Sequence, residues 1–253
     1  MATIRIIFAL PFLLPFLTFL QWPTLNKQFW FTLFLLYPLE ITALFLYMIA
    51  IKNSPLSLTL PFLSFTPVFL ILTGSFILKE IPNFIGTLGI ILVVIGSYLL
   101  YLPYPFTFRE PLRLFLKEKG SLLMLFVAVI YAITSALGKK AIIYSSPLFF
   151  GPFYYVGLSL FFLPSFLKNN FFKKDIFLPG LIIGFFTALM ILTHVIAISQ
   201  TKAVYMISIK RLAPLFGVIY GKVLLKEERF FLRFLATLLM CFGASLIYIW
   251  GNS

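Results

Sequence analysis

Residues 47–101 of the chain align with residues 194–248, 147 positions further on, without a gap, and 15 of the 55 aligned pairs are identical. The identities include Ile49-Ala50-Ile51 on Ile196-Ala197-Ile198, Pro67 on Pro214, Gly74 on Gly221, Leu78-Lys79-Glu80 on Leu225-Lys226-Glu227, and Gly96 on Gly243. Oily segments share Leu and Ile by chance. Shared Pro, Gly and Glu in the same order mark a true internal repeat, so the fold must contain two copies of one unit.

The repeated unit belongs in a membrane. Hydrophobic residues make up 62% of the chain and charged residues only 11%, against about 25% charged in a soluble domain. Too few polar groups remain to cover a water-facing surface. Crossing the hydrocarbon core takes about 20 mostly apolar residues as a helix, and the alternative, a closed barrel, reads as short alternating strands. The apolar runs here are long and do not alternate. They predict an all-α polytopic bundle of about nine transmembrane helices, near 3–20, 29–50, 57–78, 83–102, 121–138, 148–167, 177–199, 203–225 and 230–250. The first run resembles a signal peptide in carrying Arg5, but Pro11 and Pro15 interrupt it and no cleavage site follows, so it reads as a retained span. Cys241 is the only cysteine, which excludes an intramolecular disulfide.

The formal charge is +13. Because the cations sit in short loops between spans, they are expected to face anionic lipid headgroups, and nucleic acid is excluded as a partner. With the N-terminus in the cytoplasm, the outside loops hold only Lys27, Lys79, Lys139, Lys140 and Lys202, and the positive-inside rule favours that orientation.

Upstream, Phe12, Leu14 and Pro15 fall on Phe161, Leu163 and Pro164 after a slip of two residues. The first span therefore pairs with the sixth, and the fifth has no counterpart. The expected organisation is a first repeat of four helices (1–102), a linking loop (103–120) and a second repeat of five (121–253). Either the first half lacks its opening helix or the coding sequence starts upstream of Met1. A unit of five spans has odd count, so its two copies insert with opposite orientation, as in the inverted repeats of many secondary transporters.

The ends of the fourth repeat helix and the span that follows read PVFLILTGSFILKEIPNFIGTLGIILVVIGSYLLYL in the first half and PLFGVIYGKVLLKEERFFLRFLATLLMCFGASLIYI in the second. Pro, an apolar helix, Glu at the loop and Gly within the next helix recur in order. In this the chain resembles the EamA-type members of the drug/metabolite transporter superfamily. The resemblance implies two repeats, usually of five helices each, and transport of a small molecule. It also implies an N-terminus outside when the first helix is missing, opposite to the charge count. The Lys210-Arg211 pair is similar to one in the phosphate-sugar translocator branch, where such a pair contacts substrate phosphate.

Ionisable residues inside spans cost about 2.5–3.5 kcal/mol each on insertion scales and mark function. Glu40, two residues after Pro38, is a candidate proton-coupling carboxylate or counter-charge; the bland reading is a protonated Glu bonded between helices. Lys210 and Arg211 point about 100° apart on a helix. Arg211 offers a bidentate fork and Lys210 a point charge for an anionic group, unless both reach the headgroups. His194, the only histidine, can shuttle protons or donate to substrate, and a satisfied interior His is the alternative. Tyr47, Thr187, Thr193, Gln200, Tyr205 and Ser208 are the neutral polar candidates for the same cavity. Lys79-Glu80 and Lys226-Glu227 read as structural, each Glu favouring the N-terminus of the next helix, with Pro82 in that helix's first turn. Gly180-x-x-x-Gly184 and Gly217-x-x-x-Gly221 are expected at close helix approaches. Pro67 and Pro214 are expected to free backbone carbonyls toward a cavity.

The expected function is secondary transport of a small polar or anionic metabolite by alternating access, with Glu40, Tyr47, Thr187, His194, Gln200, Tyr205, Lys210 and Arg211 at the substrate site. No P-loop exists for ATP, and no cofactor or metal is expected. The alternatives are a transporter-derived structural or regulatory membrane protein and a membrane-embedded lipid-modifying enzyme. Against the enzyme, Asp175 is the only Asp, and neither paired carboxylates nor a His/Cys cluster is evident. Expected partners are a small-molecule substrate and membrane lipid, with a homodimer allowed, and the expected location is the cell membrane of a prokaryote.

Overall fold

The computed structural model describes residues 2–54, 59–100, 119–168, 174–213 and 230–251. Every regular element among the described residues is helical: α1 (Ala2–Ile7), α2 (Leu10–Phe19), α3 (Lys27–Asn53), a 3-10 turn (Leu60–Phe65) running into α4 (Thr66–Ile77), α5 (Phe84–Leu100), α6 (Lys119–Ile143), α7 (Pro147–Lys168), α8 (Lys174–Gln200), α9 (Ala203–Lys210) and α10 (Phe230–Trp250). Five stretches are long and apolar enough to cross a membrane, namely Lys27–Asn53, Leu60–Ile77, Lys119–Ile143, Pro147–Pro164 and Phe177–Gln200; Thr3–Phe19, Phe84–Leu99 and Leu235–Trp250 are shorter apolar helices. The chain is an all-α integral membrane protein. Residues 103–118 of the expected linker, the later part of the eighth span with Pro214, Gly217 and Gly221, and Lys226-Glu227 lie outside the described residues.

The first span is two helices where one was expected. It breaks at Phe8-Ala9, because Pro11, at the second position of α2, has no N–H to return to Ile7. Regular bonding resumes with the Leu13 N–H on the Ala9 carbonyl at 3.1 Å. The break rests on α8: a Cβ on Gly184 would overlap the Phe8 carbonyl, and one on Gly180 would lie 3.1 Å from the Phe8 ring. The Gly180-x-x-x-Gly184 pair is thus used as expected, to bring backbones together.

By contact the chain forms two compact units, Met1–Tyr37 with Gly138–Gln200, and Pro38–Leu137 with Thr201–Ser253. Each unit takes segments from both sequence halves. The divisions fall inside helices, between Tyr37 and Pro38 in α3 and between Leu137 and Gly138 in α6.

Aromatic rings dominate the first unit. Ala9, Leu13, Ala188 and Ile191 form a buried cluster with Phe12, Tyr155 and Leu192 against it. Around it Phe8 meets Phe166 and Phe177 edge-on, Phe12 meets Phe185, and Trp22, Phe29, Phe149 and Phe153 form a continuous ring contact.

The second unit is built differently. Ala43, Ala50, Phe62, Met124 and Val127 form its buried cluster, and α5 lies directly on α10. A Cβ on Gly89 would sit 2.6 Å from the Gly243 carbonyl oxygen, one on Gly243 2.6 Å from that of Gly89, and one on Gly96 2.7 Å from that of Ala236. Later residues of α5 meet earlier residues of α10, so the two run antiparallel. Under the 147-residue shift Gly89 corresponds to Ala236 and Gly96 to Gly243. The two contacts therefore exchange with each other, as across a twofold axis between copies of one helix. Antiparallel pairing of equivalent helices is the geometry an inverted repeat produces.

Candidate functional site

Arg211 is half-buried, and its Nη2 donates to Thr66 Oγ1 at 2.8 Å. The position follows from the local sequence. α9 ends at Lys210, with the N–H groups of Arg211 and Leu212 returning three residues to Ser208 and Ile209 at 3.0 and 2.9 Å. The helix tightens into 3-10 turns at its end. Adjacent residues then diverge: Arg211 turns to Thr66, while Lys210 is exposed.

Thr66 stands at an equivalent irregularity in the first half, where the 3-10 turn becomes α4. Pro67 has no N–H for the Leu63 carbonyl. That carbonyl accepts from both the backbone N–H of Thr66 and the Thr66 hydroxyl, the latter at 2.7 Å. The carbonyl expected to open toward a cavity is thus satisfied locally, and what the irregularity presents is the hydroxyl pair Ser64 and Thr66. Thr66 accepts from Arg211, and Ser64 bonds Ser97 of α5 at 2.6 Å, with all three hydroxyl residues buried. A guanidinium resting on a neutral hydroxyl keeps its positive charge.

Tyr205, expected in the cavity, is 1% exposed and belongs to the scaffold. Its hydroxyl accepts the Asn83 backbone N–H at 3.1 Å, and its ring fills the space beside Gly86 and Gly251. The Lys202 ammonium lies 5.4 Å over the same ring. Glu80 also serves a helix other than the expected one: Oε2 accepts the Ala203 N–H at 2.8 Å and caps α9 from the other sequence half. Lys79, at φ 59°, turns the chain there, and the Glu80 N–H returns to the Gly74 carbonyl at 3.2 Å. α5 is capped by Asn83, whose Oδ1 accepts the Gly86 N–H at 2.7 Å. Pro82 precedes that cap and lies outside the helix.

Glu40, half-buried on α3 one turn before the buried Ala43, and Tyr47, packed against the Ala43–Met124 cluster, share the second unit with Arg211. Ser208 is buried there with its hydroxyl on the Val204 carbonyl at 2.7 Å. Thr187, His194 and Gln200 belong to the first unit, all on α8. Thr187 is buried with its hydroxyl on the Ile183 carbonyl at 2.7 Å, His194 is half-buried two turns later, and Gln200 is exposed at the helix end. Thr193 is exposed and bonds the Leu189 carbonyl at 2.8 Å. No group of three or more metal-ligating side chains occurs among the described residues. Ser64, Thr66, Ser97 and Asn83 were not singled out from sequence. One signal was available: Ser64 is the repeat partner of Arg211.

The family model described as the EamA-like transporter family matches residues 1–102 and 118–249. Among curated proteins nothing matches. Among solved structures that are similar is a crystal structure of a protein at 14% identity and a TM-score of 0.63, over 83% of this chain and 72% of that one, a likeness of fold.

Proposed function

This chain belongs to the EamA-like transporter family and is a membrane transporter of the drug/metabolite superfamily, and from that premise we propose that it is a secondary transporter of a small anionic or polar metabolite that binds at Arg211. The observation carrying this reading is the half-buried guanidinium on Thr66, at the point where equivalent helices of both sequence halves are irregular. Broken helices at depth are where inverted-repeat transporters place substrates. Thr66 and Ser64 would orient the Arg211 fork, Lys210 would add a second charge as the substrate enters, and Glu40, with His194, would couple protons to alternating access. Tyr47, Thr187 and Gln200 remain proposed contacts, and Tyr205 acts by holding α9 in place. The repeats would be 1–102 and 121–253, in the cell membrane of a prokaryote.

In proteoliposomes, counterflow of a panel of phosphorylated sugars, carboxylates and amino acids tests this. Arg211→Ala should lower transport of the accepted compound by about 10- to 100-fold, the value of a lost charged hydrogen bond. Thr66→Ala should lower it less, with both variants inserted and monodisperse. Wild-type transport by Arg211→Ala would overturn the assignment.

A further inference from the structure

The end of the first unit where α3 begins and α6 finishes holds a cleft of about 340 Å³ lined by Lys27, Gln28, Phe31, Thr32, Lys140 and Tyr144. Lys27, Gln28, Phe31 and Thr32 lie on one face of the first two turns of α3, because residues three or four apart stack along a helix. Asn26 caps that helix, its Oδ1 accepting the Phe29 N–H at 2.8 Å. Lys140 and Tyr144 are one turn apart at the close of α6. Among the described residues neither ammonium pairs with a carboxylate. Two cations, an amide and a phenol converge on one open space, and their donors fit the oxygens of a phosphate.

Depth selects the form that phosphate takes. The cleft lies at the ends of two membrane-spanning helices, and Trp22, in the segment leading into α3, and Trp30, in the first turn of α3, are 59% and 51% exposed. Exposed tryptophans near span ends mark the level of the headgroups. Phe31, 63% exposed, gives the cleft an apolar wall facing the same zone, and basic pockets between helix ends at that level bind phospholipid headgroups. We propose that Lys27, Lys140, Tyr144 and Gln28 form a specific site for the phosphate of an anionic phospholipid, seated with its glycerol against Phe31. None of these residues belongs to the proposed transport site, so the inference stands apart from it.

The test is lipid titration of the purified chain in neutral detergent, followed by thermal unfolding and by native mass spectrometry. Phosphatidylglycerol should stabilise the wild type saturably and remain bound at one molecule per chain. Phosphatidylcholine and inorganic phosphate at equal concentration should do neither. The double variant Lys27→Gln/Lys140→Gln should bind phosphatidylglycerol about 30-fold more weakly, as expected for two cations at a membrane surface. Should the double variant fail to fold, each single Lys→Gln change should weaken binding about fivefold. Equal phosphatidylglycerol binding by wild type and variants would overturn the site, and stabilisation by inorganic phosphate alone would overturn its assignment to lipid.

Discussion

The two compact units solve the same packing problem with different chemistry. Lipid tails are as apolar as Leu, so helices in a bilayer gain nothing by burying Leu against each other and must gain from close fit or from polar bonds. The first unit fits chiefly by large rings, beside the backbone approach of Gly184 to Phe8: Phe8, Phe12, Phe149, Phe153 and Phe166 fill the space between helices edge-on and stacked. The second unit removes side chains. Gly89, Gly96 and Gly243 let α5 and α10 touch by their backbones, and Asn83, Glu80, Thr66 and Ser64 then fix neighbouring segments by hydrogen bonds. Rings tolerate small adjustments of position, whereas a backbone contact and a directed bond each have one geometry. The stiffer chemistry lies in the unit that holds Arg211 in place.

The contrast can be broken most directly at Gly243. Leucine there would drive its side chain into the Gly89 carbonyl and the backbone of Val93. Overpacking typically costs about 1–3 kcal/mol and more where backbone must move, so Gly243→Leu is expected to lose the monodisperse folded protein on size-exclusion chromatography. A well-folded Gly243→Leu protein would show that the second unit is as adaptable as the first.

Asn83→Ala probes the polar half of the contrast. It removes the cap of α5, worth about 1 kcal/mol, and the bond from Nδ2 to the Trp250 carbonyl, worth about 0.6 kcal/mol in a membrane protein. Thermal unfolding should show a loss of about 1.5 kcal/mol. Phe12→Leu in the first unit should cost least. It forfeits the edge-on contact with Phe185 at 5.5 Å, about 0.5–1.5 kcal/mol, and neighbouring rings can close part of the gap. A larger loss for Phe12→Leu than for Asn83→Ala would reverse the comparison.

Much of this was readable beforehand. Spans near 29–50, 83–102 and 230–250 appear as α3, α5 and α10, because an apolar run of that length has only the helix in which to satisfy its backbone. The repeat foretold that Gly96 and Gly243 would be equivalent, and Gly180-x-x-x-Gly184 foretold a close approach. Partners were not readable. Glu80 was expected to serve the helix after it and caps α9 from 123 residues away. Tyr205 looked like a cavity residue by type, yet Asn83 and Gly86 enclose it.

The sequence by itself determined that the chain is helical, membrane-spanning and internally repeated. Those properties depend on local composition, on the thickness of the hydrocarbon core and on identities at one fixed spacing. Only the tertiary structure decided that segments of both halves interleave in each unit, that Glu80 caps α9, and that Arg211 rests on a hydroxyl. Each of these is a pairing between residues far apart in the chain, and the bonds that direct it exist only once the helices have met.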